Sequence, residues 1–190
     1  PKYIPLLSAV VPNVKTWNPN KPKELPRNWY MLPPFTKRHC PDLFIPRVNG
    51  FHPFTRLNND SKYLIDANFS TLWISGDGHS YNNYAILALL NSSWCIVAME
   101  EYGTVMGGGA LKLEATQIKK LPIPVLTAGA TEKLSALGKK LARTPNDTDK
   151  TLTQIDRIVI AALGFETEIE NKLANLISLK DQLLNQRNSK

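Results

Sequence analysis

The chain has 190 residues, 43% of them hydrophobic, with 23 Lys and Arg against 16 Asp and Glu and a net charge of +7. A mean hydropathy of −0.23 and a pI near 9.4 describe a basic chain with enough apolar side chains for a core, which excludes disorder by composition. No apolar run approaches the roughly 20 residues needed to span a bilayer. The two cysteines, Cys40 and Cys95, exclude a disulfide framework and suit a reducing cytoplasm.

This length suits one domain plus an appendage, or two small domains. A chain that starts with Pro1 rather than Met reads as a fragment of a longer polypeptide. Charge is unevenly spread. Through Pro124 there are 13 basic residues against 8 acidic ones, and beyond it 10 against 8. The excess lies in the first two thirds, as a polyanionic partner requires.

Six prolines in residues 1–26 oppose a long helix and predict extended chain, with one strand at Leu6–Val11. That stretch reads equally as a connection from a preceding domain or as an edge strand. Two short strands are expected at Trp29–Leu32 and Leu43–Val48, and the Pro-rich loop between them carries Lys37, Arg38 and His39. Phe54, Leu57, Tyr63 and Ile65 supply apolar positions around a turn at Asn58–Ser61. Phe69–Ser75 is rich in β-formers and is expected as a central strand, followed by a turn at Gly76–His79.

Two apolar helices, Tyr84–Leu90 and Trp94–Tyr102, are predicted to part at Asn91-Ser92-Ser93, where an Asn closes one and a Ser caps the next. Gly103 stops the second. After Gly107-Gly108-Gly109, Leu111 and Leu113 alternate with Lys112 as in a half-buried strand. A helical turn over Ala115–Lys120 ends at Leu121-Pro122-Ile123-Pro124. Three amphipathic helices follow: Thr131–Arg143 with Thr131 as its cap, Thr151–Leu163 stopping at Gly164, and Thr167–Gln186. Cys95 and the four tryptophans (Trp17, Trp29, Trp73, Trp94) are expected mostly in the core.

The order LLNSS (Leu89–Ser93), helix, glycine cluster, GALKL (Gly109–Leu113) and QIKKLPIP (Gln117–Pro124) resembles the TaqI-like specificity domain. That domain is the target-recognition part of adenine-N6 DNA methyltransferases and of fused restriction-modification enzymes. Ile45-Pro46-Arg47 is similar to the family's hydrophobic-Pro-Arg strand. Ile155-Asp156 with Val159, then Leu163-Gly164-Phe165, resembles its Ile-Asp-x-x-Val…Tyr-Gly-Leu segment, departing from it at Ala161-Ala162-Leu163. The resemblance spans about residues 28–170.

It implies an α+β (α/β) fold: a twisted, mostly antiparallel or mixed sheet with packed short helices, then a C-terminal helical segment. The expected division is a recognition domain over 1–126, its first 26 residues a connection from an upstream catalytic domain, and a helical segment over 127–190. The implied partners are double-stranded DNA and an upstream methyltransferase domain of the same polypeptide, with no membrane. The family's catalytic motif, Asn/Asp-Pro-Pro-Tyr/Phe, has Leu32 in its polar position here, and no Gly-rich cofactor loop follows a strand. Catalysis and S-adenosylmethionine are therefore expected in the parent enzyme, with no catalytic residue, cofactor or metal in this chain. The alternative is half of a type I restriction specificity subunit.

Neutralising phosphates takes Lys and Arg, and reading the major groove takes donors and acceptors on loops and strands. The candidates are Lys37 and Arg38 in their loop, Arg47 and Arg56 around the turn-rich stretch, and Lys112 behind the glycines. Gly107, Gly108 and Gly109 are candidates for close backbone approach, and Lys119 and Lys120 for the end of the short helix. His79 stands beside Asp77, but no Ser or Cys nucleophile is suitably spaced, so it is a loop residue able to contact DNA. His39, Cys40, His52 and His79 lack zinc-ligand spacing.

Overall fold

Proline chemistry decides the first feature of the fold. In the computed structural model, which describes residues 39–58, 63–74, 81–143 and 148–189, the run Leu43–Val48 is not one strand. It divides into β1 (Leu43–Pro46) and β2 (Val48–Asn49), which join different sheets. Pro46 has no N–H to continue the ladder. Arg47 bridges the two sheets through its backbone, donating to Asn68 O at 2.9 Å and accepting from Leu113 N at 2.7 Å.

β1 lies between β3 (Arg56–Leu57) and β4 (Phe69–Leu72), with both pairings antiparallel. A second antiparallel sheet has the order β2, β6 (Leu111–Lys112), β5 (Thr104–Val105). The α+β class is as expected, but the single sheet is two small ones. The expected centrality of Phe69–Ser75 is overturned: β4 pairs only with β1 among the described residues, and the central place belongs to β1. Buried Leu43 and Ile45 reflect that place, whereas Phe69, Thr71 and Leu72 are only half-buried. Leu6–Val11, Trp29–Leu32, Trp17, the turn at Gly76–His79 and the proposed connection over 1–26 lie outside the described residues. Residues 39–190 form one compact unit.

The helix pair forms as its capping residues dictate. α1 (Asn83–Leu90) begins at Asn82, whose side chain accepts from Tyr84 N and Ala85 N. α2 (Ser93–Tyr102) begins at Ser92, whose hydroxyl accepts from Cys95 N. Asn91 closes α1 and is 1% exposed; its side chain donates to Leu87 O at 2.8 Å. Behind it, Asp156 accepts from both Ser93 N and Ser93 Oγ at 2.7 Å. The Asn-Ser-Ser and Ile-Asp segments that carry the family resemblance are thus joined in one buried polar knot.

After the short α3 (Ala115–Ile118) come α4 (Ala128–Arg143), α5 (Thr148–Ala162) and α6 (Ile169–Asn188). Thr131 does not cap α4. It is buried inside the helix, and Thr127 accepts from Ala130 N as the residue that starts it. Gly164, with φ of +89°, terminates the turn after α5 in a conformation that favours glycine. Leu43, Ile45, Leu87, Leu89, Met99, Leu111, Leu134, Ile155 and Val159 form one core that unites the sheets, the helix pair, α4 and α5. Cys95 is fully buried there, and burial pushes its thiol up to about 12, so it packs as a neutral side chain. Trp94 is half-buried and donates to Pro122 O at 2.8 Å, but Trp73 is 42% exposed, against the expectation of a core role.

α1 and α4 touch backbone to backbone at Gly138, where a Cβ would collide with the carbonyl oxygen of Tyr84. Gly-to-Ala inside an exposed helix stabilises by about 1 kcal/mol. Here Gly138→Ala is expected to reverse that sign and cost about 1–3 kcal/mol, read as a lower urea midpoint at unchanged slope.

Candidate nucleic-acid interface

One exposed face of the second sheet gathers the chemistry expected of a reader. Register places Val48, Lys112 and Thr104 side by side across β2, β6 and β5. Leu111 and Leu113 are buried on the opposite side, which leaves the Lys112 side chain 41% exposed. Its ammonium pairs with Glu114 at 2.7 Å. The hydrogen bond from Lys112, then its charge, with Arg47 adding to them, hold the Glu114 carboxyl below its ordinary value. Gln117 faces both ways: its Oε1 accepts from Glu114 N at 2.7 Å and its Nε2 donates to Thr104 Oγ1 at 2.9 Å. Glu114 and Gln117 form the capping box that opens α3. A cation, a carboxylate, an amide and a hydroxyl are therefore preset in one row on two neighbouring strands and a helix end. Glu114 and Gln117 were missed in the sequence, although their E-x-x-Q spacing before a short helix is a capping-box signal.

The other candidates divide clearly. Arg47 is exposed beside this row. Lys119 and Lys120 are exposed in the turn after α3. Arg56 belongs to the other sheet, with its guanidinium 5.3 Å from the ring centre of Phe54. Lys37, Arg38 and His79 lie outside the described residues. The glycines form a 3-10 turn over Gly107–Gly109. Gly107 and Gly108 are exposed with open space around them, whereas Gly109 is buried with φ of +72°. A Cβ on Gly109 would stand 2.7 Å from the backbone oxygen of Arg187, so close packing against α6 accounts for that glycine.

Arg187 is the least expected residue near this face. It is 3% exposed and forms an ion pair with Glu100 at 2.8 Å. It also donates to the carbonyls of Gly50, Phe51 and Gly109, fastening both loops that flank β2 and β6 to the end of α6. Burial raises the Glu100 carboxyl above its ordinary value against the opposing pull of Arg187. Its Oε1 is buried without a hydrogen-bond partner. No sequence signal marks Arg187, which reads as one more cation on an amphipathic helix.

A second feature lies on the first sheet. A cleft of about 740 Å3 is lined by Phe44, Phe51, His52, Phe54, Arg56 and Arg143, among others. Burial first, then Lys180 and Arg187, lower the His52 pKa against an opposing effect of Asp149, which favours a neutral imidazole. Among the described residues no group of three or more His, Cys, Asp or Glu could hold a metal ion. None of the described helices is long and apolar enough to cross a membrane.

Among known families, the one described as the C-terminal domain of the type II methyltransferase M.Eco57I matches residues 24–160. The match takes in both sheets, the paired helices, the preset row and most of α5, and the chain belongs to that family. Comparison with curated proteins and with solved structures gave no match.

Proposed function

We propose, from this chain's place among the C-terminal domains of type II methyltransferases, that it is the duplex-DNA recognition module of such an enzyme. The observation that carries the reading is the preset row Lys112–Glu114–Gln117–Thr104, with Arg47 beside it. Lysine neutralises phosphate or reaches guanine acceptors, glutamine can hydrogen-bond adenine, and a carboxylate accepts from an exocyclic amino group. A carboxylate in such a row repels phosphates, which favours reading base edges over holding the backbone alone. The methyl transfer itself, to adenine N6 from S-adenosylmethionine, belongs in this reading to a catalytic domain outside this chain. That domain would be fused upstream, and the enzyme would act in the cytoplasm.

The test is binding of the chain to labelled duplexes across a salt series. Affinity is expected to fall steeply, linearly in log–log form, as counterions are released. Lys112→Ala is expected to lower duplex affinity by about tenfold and to reduce the salt slope by about 1. The loss has two parts, because the variant removes a cation and also leaves the Glu114 carboxylate facing the polyanion. Binding that is absent, or insensitive to salt, overturns the reading; an unchanged Lys112→Ala removes that residue from the site.

A further inference from the structure

The segment between β2 and β3 has no regular structure of its own, yet side chains from two helices fasten it at both ends. Arg187 donates to Gly50 O and Phe51 O. Asn91 accepts from Thr55 N at 2.8 Å and donates to Thr55 O at 2.9 Å, pairing with that backbone as a strand would. Between these pins a row of rings follows. Phe51 and His52 have centroids 5.4 Å apart, His52 and Phe54 6.5 Å, and the Arg56 guanidinium lies 5.3 Å from the Phe54 centroid.

Phe51 is 73% exposed although its backbone is held. A large apolar ring kept in water forgoes the free energy of burial, and one carried on a fixed backbone loses less entropy when a partner covers it. The row forms a wall of the cleft, whose volume of about 740 Å3 falls within the roughly 300–1,000 Å3 of small-molecule sites. Its described lining contains two cations, Arg56 and Arg143, and neither an Asp nor a Glu. Purely apolar cargo would leave the two guanidinium groups unused, and a bare anion would leave the rings unused. A planar heteroaromatic carrying negative charge uses both.

We infer that this cleft binds an unpaired nucleotide. The base stacks on the Phe51–His52–Phe54 wall, and Arg56 and Arg143 draw its phosphate. Stacking on aromatic side chains requires a base free of its neighbours in the helix, and it tolerates any base because each has a π face. The inference rests on the nucleic-acid reading above and adds a second site, on the first sheet, to the row on the second.

The experiment titrates the whole chain with an eight-residue oligothymidylate carrying one central 2-aminopurine, and in parallel with a fully paired duplex. The single strand is expected to bind with a change in 2-aminopurine fluorescence. Phe51→Ala and Arg56→Ala are each expected to weaken that binding by about tenfold. Lys112→Ala is expected to leave it unchanged while weakening the duplex. Both cleft positions are exposed, so thermal melts of their variants should match the parent chain. A single strand that fails to bind, or binds Phe51→Ala and Arg56→Ala as well as the parent, overturns the cleft. Duplex binding that persists in that case leaves the recognition module standing. Loss of both kinds of binding by the folded parent chain overturns both.

Discussion

Replacing Arg187 with alanine is expected to be among the most destabilising single changes in this protein, costing about 3–5 kcal/mol. The Arg187 side chain is 2% exposed and pairs with a Glu100 side chain that is 3% exposed. Its removal leaves Glu100 charged in a dry site, with both oxygens lacking donors, and releases the carbonyls of Gly50, Phe51 and Gly109. Much of the loss is the penalty of the orphaned charge rather than the worth of the pair, so Arg187→Ala combined with Glu100→Gln is expected to recover a part of it. The pH dependence follows the same cause. Glu100 already titrates above its ordinary 4.5, chiefly through burial, and losing the cation raises it further. A neutral Glu100 is tolerated, so the single variant should be mildest near pH 4 and worst at neutral pH. Urea unfolding at both pH values checks this. Equal losses at the two, or no recovery in the double variant, contradict the account.

Asp156→Ala is expected to cost about 2–4 kcal/mol, because it deprives the first turn of α2 of its acceptor and leaves two buried donors of Ser93 unmet. Asp156→Asn keeps one carbonyl acceptor and is expected to cost much less. Burial is the largest effect on the Asp156 carboxyl and raises it above its ordinary 3.8, against the opposing hydrogen bonds from Ser93 and the charge of Lys180. A carboxyl raised in the folded state contributes stability that is present below about 3.8 and is lost as pH climbs through the folded value. The parent chain should therefore lose ground to Asp156→Asn between pH 4 and 7. Melting curves of the two proteins over that range measure it, and a gap that stays constant or moves the other way contradicts it.

Local chemistry was legible in the sequence wherever one residue type suffices for the job. Asn91, Ser92 and Gly103 end and begin the paired helices where their side-chain chemistry places them. Leu111, Lys112 and Leu113 alternate as a half-buried strand should. Pairing was not legible. Phe69–Leu72 has the composition of an inner strand but lies at the edge among the described residues, because strand order depends on partners distant in sequence. Leu43–Val48 reads as one strand running through Pro46, and nothing local shows that Val48 and Asn49 join another sheet. Thr131 and Thr127 both suit a helix start, and only the buried site of the first decides between them. The proposed interface was half visible. Lys112 and Arg47 were candidates from the sequence, but Phe54 reads as an ordinary apolar position, and Phe51 and His52 carry no signal until Asn91 and Arg187 are seen holding their segment.

The family match ends at residue 160, while the guanidinium that buckles the loops beside β2 and β6 comes from the far end of α6. The hairpin bearing Lys112 is consequently not a portable cassette. Grafted onto a relative, it would need Gly109, Glu100 and Arg187 to travel together, since the absent Cβ of the first makes room for the backbone of the last. On the recognition reading proposed above, exchange of target preference between such domains would then have to carry the closing helix along with the strands.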